Sequence, residues 1–113
     1  MADFATAEQG VAWFARVLVL ELGQSGSLDQ LEGVWAVGAS QVAAVEDRLT
    51  VLEASAPDDA TRTGTRTLRD GVRASRQRVE GLLQSGDTDA ISGTLNETAA
   101  ELEAALRYLD QAR

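Results

Sequence analysis

Arg62, Arg66, Arg69, Arg73 and Arg76 step by 4, 3, 4 and 3, and at 100° per residue those steps put all five side chains on one stripe of a helix. A row of planar guanidinium groups can grip carboxylate or phosphate oxygens two at a time. The stripe is therefore a candidate site for an anionic ligand or an acidic protein surface. It has a structural reading as well. Glu32, Glu46 and Glu53 share one heptad position on the preceding helical segment, one residue after its apolar seam, and charges placed there pair across a helix interface. Pairing is the expectation, with an anion site as the alternative.

Little other chemistry is on offer. The 113 residues include no histidine, cysteine or lysine, which removes most of the usual general bases, nucleophiles, Schiff-base amines and soft metal ligands. Glutamates cannot join Glu-x-x-His pairs into a two-metal bundle site without histidine. The acid pairs Asp58-Asp59 and Asp87-x-Asp89 fall at expected helix starts, where the positive end of the macrodipole favours them. Asp87-Thr-Asp89 lacks the later ligands of a calcium loop. The expectation is a protein that is not an enzyme, with no metal and no cofactor.

A formal charge of −8 opposes attraction to nucleic acid. The strongest apolar run, Val11 to Leu22, contains Arg16 and Glu21 and falls short of the roughly 20 residues of a bilayer span, so no membrane insertion is expected. Without cysteine the redox compartment is left open. The opening MADFATAEQ has no basic n-region; as written this predicts a cytoplasmic product, and an extracytoplasmic one if the chain is a piece of a longer precursor.

Four amphipathic segments must position these residues. Thr6-Ala-Glu-Gln9 has the form of a capping box and predicts a first helix over 6–22, ended by Gly23. Its apolar face is unusually wide: Trp13 and Phe14 lie about 100° apart, so both are not expected to be buried within one monomer, and they are a candidate interaction surface. Ser27-Leu-Asp-Gln30 opens a second helix over 28–55, whose seam Leu28, Leu31, Trp35, Gly38, Val42, Val45, Leu49 and Leu52 alternates steps of 3 and 4. Pro57 stops it, and Asp58 or Asp59 caps a third helix over 58–84. Thr61, Thr63, Thr65 and Thr67 alternate with a strand's period of 2, but the arginine stripe runs through them at 3.6 and helix prevails. Gly64 and Gly71 loosen that half. After Ser85-Gly-Asp87 a fourth helix spans 88–111, with Ile91, Leu95, Thr98, Leu102, Ala105 and Leu109 on its seam.

Four helices joined by short turns predict a single all-α domain over 1–113, an antiparallel up-down four-helix bundle. The alternative is a long helical hairpin that completes its core as a dimer. Thr61, Thr65, Ser75 and Thr98 stand on seams where leucine packs better. Either they bond back to the carbonyl four residues earlier, or with Trp35 they line a polar pocket for a small ligand.

The layout RLTVLEASAPDD, a long helix, LLQSGDTDAI and a last helix resembles the helical-bundle domains of actinobacterial cell-envelope lipoproteins and of extracytoplasmic four-helix sensor domains. The resemblance covers residues 48 to 109, carries no functional residue across, and implies a binding module working outside the cytoplasm. The functional expectation is a non-enzymatic bundle that binds a partner protein, a small ligand or a second copy of itself, in an extracytoplasmic or sensory setting. The alternative is a cytoplasmic adaptor or regulator acting through homodimerisation.

Overall fold

The computed structural model describes residues 2–112. Its first helix, α1, covers residues 2–23 as one rod: α-helical at Ala2–Trp13, π-helical at Phe14–Leu18 and α-helical again at Val19–Gly23. Then follow α2 (Leu28–Ala54), α3 (Asp59–Ser85), a 3₁₀ turn (Thr88–Ala90) and α4 (Ile91–Ala112). Each helix packs beside its neighbours in sequence and α4 closes the ring against α1, which is the antiparallel up-down four-helix bundle expected. At 1.5 Å per residue α2 and α3 run about 40 Å, matching a molecule of 45 × 23 × 20 Å.

Local chemistry sets the helix ends. The Ser27 side chain accepts from Gln30 N–H at 3.2 Å, and the Gln30 side-chain amide Oε1 accepts from Gly26 N–H at 2.6 Å, a reciprocal cap reaching one residue beyond the standard box. Asp58 accepts from Thr61 N–H at 2.7 Å. Gly86 ends α3 with φ +66°, a left-handed position that glycine takes without a Cβ penalty. Asp87 then accepts from Asp89 N–H, and the chain makes its 3₁₀ turn before α4 begins, three residues later than expected.

Two expectations for α1 are corrected. Thr6 to Gln9 lies inside the helix, which already starts at Ala2 among good helix formers. Gly23 is the last helical residue; Gln24, still in the right-handed region, closes the end. Nor is α1 shorter than α4. Gly10 faces Val45 and Gly38 faces Leu18, and by that register residue 2 lies level with residue 53, so the bundle is four helices thick along nearly its whole length.

The core is continuous and completed within one chain, so no second copy is needed to close it. Leu31, Trp35, Val42 and Leu49 of α2 meet Leu68, Val72, Val79 and Leu82 of α3, and Leu95, Leu102 and Leu109 of α4. From α1 come Ala7, Val11, Phe14, Leu18 and Leu22. The threonines that alternate like a strand are helical: Thr65 and Thr67 return their hydroxyls to the carbonyls of Thr61 and Thr63 at 2.8 and 2.9 Å. Gly64 is a place of close approach, where a Cβ would stand 2.8 Å from a Leu109 methyl of α4, while Gly71 faces Ala105 at ordinary contact distance. Among the described residues no helix is long and apolar enough to cross a membrane.

Candidate functional site: a charge ladder and an open groove

All five arginines of the stripe meet carboxylates. Arg66 reaches Glu53 at 2.9 Å and Arg69 bonds the other oxygen of the same group. One heptad along, Arg73 and Arg76 take the two oxygens of Glu46 at 2.8 and 3.0 Å. Arg62 pairs with Asp59 at 2.7 Å, Arg69 also with Asp70, and Arg76 also with Glu80. Glu46 and Glu53 of α2 thus each hold two arginines of α3, and the unit repeats with a spacing of seven on both helices. Glu32 extends the series in sequence but not in space: by the same register it lies level with the turn after α3, beyond the last arginine of the stripe, and it is exposed.

The electrostatics follow from this geometry. Burial pushes the Glu46 carboxyl upward and is the largest single influence, but the hydrogen bonds and charges of Arg73 and Arg76 together hold it below the usual glutamate range. The hydrogen bond from Arg66 does the same for Glu53, against a smaller opposing effect of burial. The guanidinium groups of the stripe are committed to acids of the same chain.

Two further cross-helix contacts lie off the stripe. Arg78 bonds Glu101 and stands 4.0 Å from Glu97 on α4, and Arg16 of α1 grips Glu103 of α4 through two bonds of 2.7 and 3.1 Å. The signal for both is a charge beside a seam residue on each partner helix, on the flank away from the five-arginine row. Of the seam hydroxyls, Thr65 and Thr98 bond back to the fourth carbonyl before them, each at 2.8 Å. Ser75 is buried with its Oγ unpartnered. The Trp35 ring packs 6.0 Å from that of Phe14.

Trp13 and Phe14 of α1 part company. Phe14 is 1% exposed, which corrects its assignment to an interaction surface. The Val19 N–H bonds Phe14 O, five residues back, and this π-type turn fits an extra residue into the core-facing surface, so that Phe14, Ala15, Leu18 and Val19 are all buried. Trp13 stays half-buried at the α1–α2 boundary.

There it forms one wall of an open groove of about 560 Å³. Gly38 and Leu18 make the floor, Val34 and Val37 the opposite wall, and Gln24, Gln30 and Gln41 the polar margin. The floor is low because Gly38 has no side chain: a Cβ there would stand 2.8 Å from a Leu18 methyl. Val37 is 79% exposed and Val17 of α1 43%; Leu20, 60% exposed, lies on the side of α1 toward α4. On α2 no charged residue occurs between Glu32 and Glu46. The α1–α4, α2–α3 and α3–α4 boundaries each carry an Arg–Glu pair; the α1–α2 groove is lined by no arginine, and Glu21 is its one charged group. Set beside family models, curated proteins and solved structures, the chain matches none of them.

Proposed function

We propose that this protein is a non-enzymatic helical-bundle module that binds a partner protein through the outer face of α1 and α2. The observation that carries the reading is the groove of Trp13, Val34 and Val37, an apolar surface left open by a bundle whose core is otherwise complete. Tryptophan is among the residue types enriched where binding energy concentrates at protein interfaces, and the partly exposed Trp13 sits in an exposed apolar surface of the kind that marks such sites. The groove's polar side chains are amides, a hydroxyl and one carboxylate, a set suited to recognition and poor in the groups that catalysis uses. An extracytoplasmic or sensory role is the finer form of the proposal, and it is supported only by the resemblance of residues 48 to 109.

A photo-crosslinking side chain placed at position 37, and in a second variant at position 77 on the exposed face of α3, tests the binding face in the producing cell. The expected result is a discrete protein adduct from position 37 and none from position 77. Equal labelling at both positions, or none at 37, overturns the assignment of the face.

A further inference from the structure

The partner's chemistry can be read from the groove, on the reading that the α1–α2 face binds. The lining extends from Gln30 to Gln41 along α2, about 16 Å of helix axis, or three helical turns. A trough of that length, open along its side and flanked by two helices, has the form that receives a third helix by its apolar face. It is too open to enclose most of a small ligand's surface, as small-molecule sites do.

Charge selects among helices. Glu21 lines the trough and no basic group does. Asp29, next to the lining residue Gln30, is exposed on α2, with no arginine at ion-pair distance among the described residues. Seven of the arginines, by contrast, are held in ion pairs with carboxylates of this chain. The excess acid behind the −8 charge is therefore left to face the surroundings. A second copy of the chain would bring the same acidic face against its own, which like-charge juxtaposition disfavours. We propose that the groove takes a basic amphipathic helix of another protein, its small and apolar residues seated between Trp13 and Val37 and its lysines or arginines meeting Glu21 and Asp29.

Three synthetic peptides of about five turns test this: one with a leucine and alanine face flanked by arginines, one with every arginine replaced by glutamate, and one of the first composition scrambled to abolish the apolar face. Affinity is read by peptide fluorescence anisotropy at physiological salt, and location by amide shifts of the labelled protein. The basic amphipathic peptide is expected to bind saturably, with shifts concentrated at residues 13–25 and 30–41, while the other two bind at least about ten-fold more weakly, a difference of roughly one good contact. Val37→Glu takes the net charge from −8 to −9. Diffuse attraction would therefore tighten in that variant, whereas seating in the groove is expected to weaken about ten-fold or more. Gln77→Glu makes the same charge change on the exposed face of α3 and is expected to leave affinity unchanged. No saturable binding of the basic peptide up to about 1 mM, tighter binding to Val37→Glu, or shifts spread evenly over the acidic surface each overturn the proposal; so does sedimentation showing a dimer that Val37→Glu dissolves. If adducts form at position 37 in the cell while the basic peptide fails, the partner class is wrong and the binding face stands.

Discussion

Ser75 shows how a seam position can be legible while its energetics are not. The spacing places it between Val72 and Val79 on the buried stripe of α3, and there it is fully buried. A back-bond to the carbonyl four residues earlier is what the residue type suggests, and Thr65 and Thr98 make it. The Ser75 Oγ does not. A buried hydroxyl without a partner forfeits its bond to water, and serine is also a weaker helix former than alanine. Ser75→Ala is expected to raise stability by about 1 kcal/mol, measured as a higher urea midpoint at unchanged slope; a loss of stability would mean that the hydroxyl is satisfied in solution. The pairing of Glu46 and Glu53 with the stripe was readable because heptad position fixes which residues flank a seam. Arg78 and Arg16 were missed because their partners lie on α4, and a single helix pattern does not say which neighbour each flank will meet.

At the level of elements, the helices and their seams followed from periodicity, and the starts of α2 and α3 from Ser27 and Asp58. The π-type turn of α1 did not, since it serves the packing of one wide apolar face against two neighbouring helices and no local residue type announces it. The groove was equally hidden, because it exists only once α1 and α2 are set side by side. Glycines record how close that packing is. A Cβ on Gly10 would stand 2.5 Å from Val45 Cγ2, and a β-branched side chain in a helix has almost no other rotamer to turn to. A Cβ on Gly38 would meet both methyls of Leu18, at 2.8 and 3.0 Å, and Leu18 is itself fully buried. Gly33 has nothing within 4 Å. Gly10→Ala and Gly38→Ala are therefore expected to lower stability by about 1 to 3 kcal/mol through overpacking, the larger loss falling at Gly10, while Gly33→Ala raises it by about 1 kcal/mol through helix propensity. Thermal melts of the three variants check the order, and a stabilised Gly10→Ala would show that α1 and α2 can move apart freely.

For the molecule as a whole, the charge ladder makes stability depend on pH in a definite direction. The carboxyls of Glu46, Glu53, Asp58 and Glu103 are all held below their ordinary values by arginines or, at Asp58, by the Thr61 N–H. A group with a depressed folded-state pKa binds its proton more readily in the unfolded chain, so its contribution is fully present above the unfolded value, roughly 4 for these acids, and is lost as pH falls through the folded value. Acidification also lowers the magnitude of the net charge of −8, and with it the self-repulsion of the folded molecule, which acts in the opposite direction. The measured curve is the difference of the two, and only a variant separates them. In Glu46→Gln/Glu53→Gln the repulsion term remains and the ladder is gone. That variant is expected to melt below the parent at pH 7 and to approach it as pH falls from about 5 to 3. The gap at pH 7 should also shrink at high salt, since the arginines of the ladder are partly exposed and so partly screened. A gap that stays constant from pH 7 to 3 would mean that the two glutamates stabilise the bundle by packing rather than by charge, and the repeat of seven on α2 and α3 would then fix register by shape alone.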